Sequence, residues 1–187
     1  MITVVSGLPR SGTSLLMQML QAGGHPVLCD EQRPPDVDNP RGYFELDQIR
    51  ALERDASWIA FAEGQAIKVV SPLLRSLPVN HEYRVLFMRR ELDEILASQE
   101  RMLERRGQPA GPDRALMRSH FARHLESVFA WLSAQRHMHV SYCDHAEVLR
   151  DPQVAAIAIA GFLEVPLDTA QMVAAVDLNL YRQRTQR

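Results

Sequence analysis

"MITVVSGLPRSGTSLLMQML", residues 1–20, runs a short apolar stretch into a glycine loop and then into helical spacing, and that order decides the fold. Ile2 to Ser6 read as a buried strand. From Thr13 to Ala22 the apolar residues Leu15, Leu16, Met19 and Leu20 recur at helical spacing, and Gly23-Gly24 ends the helix. Between them, Gly7 and Gly12 let the backbone turn tightly, so that successive N–H groups point into one concavity. The helix adds the positive end of its dipole, and Thr13 and Ser14 add hydroxyls. A turn that merely links strand to helix is the plain alternative. The context of strand before and helix after favours a loop that holds a phosphate-like anion.

The nucleotide-hydrolysing form of such a loop reads G-x-x-x-x-G-K-[ST], and here Thr13 stands where the lysine belongs. In those hydrolases the lysine reaches the β/γ-phosphates, while the Ser/Thr and a distant aspartate hold Mg²⁺. This loop carries Arg10 as its cation. No strand read from the sequence ends in an aspartate: "AIKVV" is followed by Ser71 and "YRVLFM" by Arg89. The site reads as cationic and metal-poor.

Working outward, "AIKVV" (Ala66 to Val70) and "YRVLFM" (Tyr83 to Met88) are continuous apolar runs, as expected of strands covered on both faces. "MHVSY" reads as a fourth strand. Helices are expected from near Leu46, from Leu92 to Arg105, and from Asp113 to Gln135, the last with Leu116, Phe121, Leu125, Val128 and Leu132 on one face. Cys29 to Gly42 form a polar loop, and the remainder reads as helices with a basic tail, "YRQRTQR". Strands alternating with helices imply an α/β fold, a central parallel sheet flanked by helices in three layers. Ligands in such sheets bind beyond the carboxyl ends of the strands. That rule selects Gly7 to Ser14, the loop after Val70, and Arg89-Arg90.

At 187 residues the chain is expected to be one domain, 1–187, with a substantial core. Hydrophobic residues make up 46% and charged ones 24%, and the net charge of −2 gives no global basic field to attract nucleic acid. The longest apolar run, Val154 to Leu163, falls short of the ~20 residues that span a bilayer. With no signal-peptide pattern, a cytoplasmic setting is expected. Cys29 and Cys143 have neither metal-ligand nor disulfide-framework spacing and read as reduced, buried thiols.

"GLPRSGTSLL" resembles the 5′-phosphosulfate loop of the sulfotransferases that use 3′-phosphoadenosine 5′-phosphosulfate (PAPS). That loop reads P-[KR]-[ST]-G-T-[ST], and Pro9, Arg10, Ser11, Gly12, Thr13 and Ser14 match it. The family also follows a later strand with an arginine and, eight residues on, a serine, which hold the 3′-phosphate. "YRVLFMRRELDEILAS" is similar, with Arg90 and Ser98 at that spacing and Leu92 where proline is common. On the residues alone, Arg89 and Arg90 end a buried strand at the ligand edge, where a guanidinium grips phosphate with two hydrogen bonds. An ion pair with Glu91, Asp93 or Glu94 is the alternative. "VSYCDHAEVLRDPQVAAIAIAGFLEVPL" resembles the family's C-terminal segment, which is mainly structural. Together the matches run from the first strand to about Leu167.

The resemblance implies a P-loop-type fold and in-line transfer of a sulfuryl group from PAPS to a hydroxyl or amine. It implies no metal requirement, since the sulfuryl carries less negative charge than a phosphoryl. Arg10, the loop amides and Thr13 would stabilise the leaving 5′-phosphate. "IKVVSP" resembles the cytosolic members' K-T-H-L-P, which places Lys68 as the residue that assists the leaving group; Val70 replaces the histidine base. A salt bridge at the strand edge would equally explain Lys68. Other branches use a glutamate base after the first helix, and Glu45 in "NPRGYFE" is at a comparable stage, with Asp36 and Asp38 weaker candidates. Glu45 also suits the acidic first turn of a helix. His120 and His124 stand i, i+4 without an evident third metal ligand, and read as surface or core histidines. Arg182, Arg184 and Arg187 suit either a frayed terminus or closure over the 3′-phosphate. The acceptor is expected to be a small molecule or a glycan, and a homodimer could complete its pocket. Two rivals stand beside this reading: a non-catalytic nucleotide-binding protein of the same fold, and an ATP-dependent small-molecule kinase.

Overall fold

The computed structural model describes residues 1–30, 42–109 and 111–177. Among these residues four strands, β1 (Ile2–Gly7), β2 (Ala66–Val70), β3 (Tyr83–Arg89) and β4 (Met138–Asp144), form one parallel sheet in the order β2-β1-β3-β4. Among the described residues six α-helices accompany it: α1 (Thr13–Ala22), α2 (Leu92–Arg105), α3 (Arg114–Ser133), α4 (His145–Arg150), α5 (Pro152–Leu163) and α6 (Thr169–Ala174). The α/β sheet flanked by helices is the one the strand–helix alternation predicts.

Successive side chains of a strand point to opposite faces, and this alternation splits the core in two. Ile67, Val69, Val85 and Phe87 share one cluster with Trp58, Ile59, Leu74, Val128 and Leu132. Val5, Leu86 and Met88 share the other with Leu16, Met17 and Leu20 of α1, Ile159 and Leu163 of α5, and Met172 of α6. Both faces are covered, which is why the strands read as unbroken apolar runs. No helix among the described residues is long and apolar enough to cross a membrane.

The register decides where chemistry is placed. Gly7 is level with Val70 on one side and with Met88 on the other, and Arg89 is level with Asp144. The three places singled out in the sequence therefore share one edge of the sheet.

Some expectations need correction. The helix expected near Leu46 is two short 3₁₀ turns, Asp47–Ala51 and Ser57–Ala62. Between them the Asp55 carboxylate accepts the Ser57 N–H at 2.9 Å, a local side-chain bond that competes with a continuing helix. Helix α3 buries Val128 and Leu132, but Leu116 is 51% exposed. Its first turn is tied sideways to α2 through Arg114, which bonds Glu100 and Asp93. Cys143 is buried, and burial first, with Asp144 second, pushes its thiol pKa up to about 12. Cys29 is exposed, against expectation. Strand β4 extends two residues past "MHVSY" and does end in an aspartate, Asp144.

Candidate functional site

Each end of the loop is pinned by close packing. A Cβ on Gly7 would stand 2.7 Å from the Met88 carbonyl oxygen, so only glycine lets β1 turn beside β3 here. Gly12 caps α1 at φ 107°, where a Cβ would stand 2.5 Å from Cδ2 of His145. The first helical bond is from Leu15 N–H to the Gly12 carbonyl at 2.9 Å, so the Thr13 and Ser14 amides precede it at the positive end of α1. That first turn holds no acidic residue to offset the dipole. Thr13 and Ser11 are buried, and Pro9 is exposed.

The expected cations converge on this loop. Arg10 Nε donates to Ser98 Oγ at 3.0 Å, and Arg90 Nη1 donates to the Arg10 carbonyl at 3.2 Å. Arg90 Nε is also bonded to Glu94 at 2.9 Å, both side chains being nearly buried. Arg90 thus makes the alternative ion pair and faces the loop at once. The resemblance pairs Ser98 with Arg90; in the structure the Ser98 hydroxyl accepts from Arg10.

Lys68 reaches the other side of the loop. Its Nζ lies 3.4 Å from Ser14 Oγ, 2.5 Å from the Tyr43 carbonyl and 3.9 Å from Glu45 Oε1. These contacts satisfy an ammonium that is only 9% exposed. Glu45 lies also 3.9 Å from Arg50 Nη2, a carboxylate between two cations. Tyr43 beside it is buried, and Phe44 takes φ 52° to turn the chain into this position.

Arg89 takes no such place. It holds Asp144 in a two-pronged pair at 2.6 and 3.2 Å and lies 5.2 Å from the Tyr142 ring. The strand-end aspartate is therefore held by a guanidinium. His124 Nε2 lies 2.9 Å from the hydroxyl of Ser71, just after β2, and burial, with Arg75 second, holds its pKa below the usual value. His120 is exposed. Among the described residues no three His, Cys, Asp or Glu side chains group as metal ligands. Asp36, Asp38, Arg182, Arg184 and Arg187 lie outside the described residues.

Sequence reasoning missed one neighbour of the loop. His145 is 7% exposed, lies against Gly12 and faces Arg90 and Glu94. A lone histidine at the head of a short helix carries no spacing signal, and only the parallel pairing of β4 with β3 brings it here.

The sheet order and strand-loop-helix edge define a P-loop-type α/β protein, with the fold of the sulfotransferases. Mouse sulfotransferase SULT7A1 complexed with PAP superposes with a TM-score of 0.56 at 15% identity, over 93% of this chain and 61% of that one. The sulfotransferase domain from the curacin biosynthetic pathway gives 0.55 at 15% identity, over 94% of this chain and 77% of that one. The sulfotransferase domain of the Synechococcus PCC 7002 olefin synthase gives 0.57 at 16% identity, over 98% and 83%. The chain spans less than two thirds of the mouse enzyme's length. No protein-family model and no curated protein matches the sequence.

Proposed function

We propose that this chain, as one domain over residues 1–187, is a PAPS-dependent sulfotransferase. The observation that carries the reading is a cation on each side of the loop before α1: Arg10, whose Nε bonds Ser98 of α2, and Lys68, whose Nζ lies 3.4 Å from Ser14 Oγ. The PAP held by the mouse enzyme of this fold supports the choice of nucleotide.

In this reading Pro9, Arg10, Ser11, Gly12, Thr13 and Ser14 form the cradle of the 5′-phosphosulfate, Pro9 shaping the turn and the residues after it offering backbone amides and hydroxyls. Arg90 and Ser98 take the 3′-phosphate. An acceptor hydroxyl or amine attacks sulfur in line; the new bond to sulfur forms as the bond from sulfur to the 5′-phosphate oxygen breaks. Arg10 and Lys68 stabilise the charge that grows on that oxygen, the usual role of oriented cations in such transfers. Glu45 takes the acceptor's proton, and its 3.9 Å separation from Lys68 sets base and leaving-group cation side by side. A small-molecule or glycan acceptor, a homodimer that completes its pocket, and a cytoplasmic setting belong to the same proposal.

Calorimetry tests it. Adenosine 3′,5′-bisphosphate is expected to bind, and more tightly than ATP with Mg²⁺. Preference for ATP would replace the reading with a kinase. Tight bisphosphate binding with no turnover across a broad acceptor panel would leave a non-catalytic binding protein.

A further inference from the structure

Beyond Gly7, where β1 ends at φ 152°, two more residues of the loop have positive φ, Arg10 at 70° and Gly12 at 107°. For a residue with a side chain that conformation costs on the order of 1–3 kcal/mol and persists only where the surroundings over-determine it. Both residues are held from outside the loop. Arg90 Nη1 takes the Arg10 carbonyl at 3.2 Å. The His145 ring stands so close to Gly12 that a Cβ there would come within 2.5 Å of Cδ2 and 3.2 Å of Nε2. Glu94 fixes the Arg90 fork at 2.9 Å.

The cluster's charges are compatible with a rigid support. Burial, then Arg90, push the His145 pKa down to about 3 against the opposing pull of Glu94. The imidazole is thus neutral near pH 7 and adds no positive charge beside the Arg90 guanidinium.

We propose that His145 is a positioning residue for the donor: with Arg90 and Glu94 it braces Arg10 and Gly12 in their left-handed conformation before any ligand arrives. The identity of that donor rests on the sulfotransferase reading; the brace itself does not. A loop already in shape spends less binding free energy on ordering, so the brace acts on donor affinity and little on the chemical step.

The test uses His145→Ala and the milder His145→Gln, with bisphosphate calorimetry, PAPS kinetics and amide hydrogen exchange of residues 10–14 in the ligand-free protein. His145→Ala is expected to bind the bisphosphate about tenfold more weakly, with KM for PAPS raised and kcat at saturation within about twofold. Its loop amides should exchange faster, and His145→Gln should fall between it and the natural chain. A lowered melting temperature with unchanged bisphosphate affinity and unchanged loop exchange would make His145 a packing residue only and overturn the brace. Were His145→Ala not to fold, His145→Gln decides by the same two readouts. If the natural chain bound no bisphosphate, the donor reading would fail, and loop exchange alone would then decide the brace: no acceleration overturns it.

Discussion

Arg10 Nε and Ser98 Oγ, 88 positions apart in sequence, are joined by a 3.0 Å hydrogen bond. The bond ties the glycine loop to the second turn of α2, so on the proposed function a ligand in the loop would meet groups from both. Arg10→Ala removes a cation from that meeting point. It is expected to weaken bisphosphate binding by about 10- to 100-fold, the usual worth of a hydrogen bond to a charged group. Ser98→Ala, which removes a neutral hydroxyl, should cost roughly tenfold or less. Calorimetric dissociation constants check both, and full affinity in Arg10→Ala would dismiss it as the loop's anion-binding cation.

Arg90 is best probed by lysine. Alanine would leave Glu94 nearly buried and without its 2.9 Å partner, a change that costs about 3–5 kcal/mol of stability and confuses the measurement. Arg90→Lys keeps the charge but loses the planar fork. The ratio of affinities for adenosine 3′,5′-bisphosphate and adenosine 5′-phosphate should fall about tenfold, one lost charged hydrogen bond. An unchanged ratio would move the 3′-phosphate elsewhere.

Glu45→Gln keeps the shape and loses the proton acceptor. Donor affinity should stay within about threefold, while turnover falls about 10²- to 10⁴-fold, the range typical of a lost general base. Single-turnover assays with a working acceptor separate these effects. Undiminished turnover would leave Glu45 as the ion partner of Lys68 and Arg50 alone.

Acid should expose His145 through stability. Its pKa is about 3 in the folded chain against 6.5 for the free side chain, so the unfolded chain binds the extra proton between those values. Stability is then fully present above about pH 6.5 and declines as pH falls toward 3, by an amount of order a few kcal/mol. Urea titrations between pH 7 and pH 4 should show His145→Gln losing less stability on acidification than the natural chain. Parallel losses in both would assign the acid sensitivity to other groups.

The parts of the site that were legible in sequence are those whose logic is local. Strand, glycines, hydroxyls and helix sit within residues 1–20, so Gly7, Gly12, Thr13 and Ser14 could be read from order alone. Residues that depend on pairing between distant strands were not legible. Lys68 could be read as strand-borne, but its contacts with Tyr43 and Ser14 come from a neighbouring loop and helix. Asp144 fell outside the strand read as "MHVSY", yet pairing with β3 carries the strand on to it. The two 3₁₀ turns were misread as one helix because apolar spacing does not show that Asp55 bonds its own backbone neighbourhood.

The order of the strands also bears on when this protein becomes competent during synthesis. The loop between β1 and α1 is made long before Asp144 and His145, which stand at the end of β4 and the head of α4. A nascent chain that stops short of β4 has the loop's sequence without the support behind Gly12. On the proposed function, nucleotide capture should therefore arrive only once the chain has been made past His145, well after every residue of the loop itself.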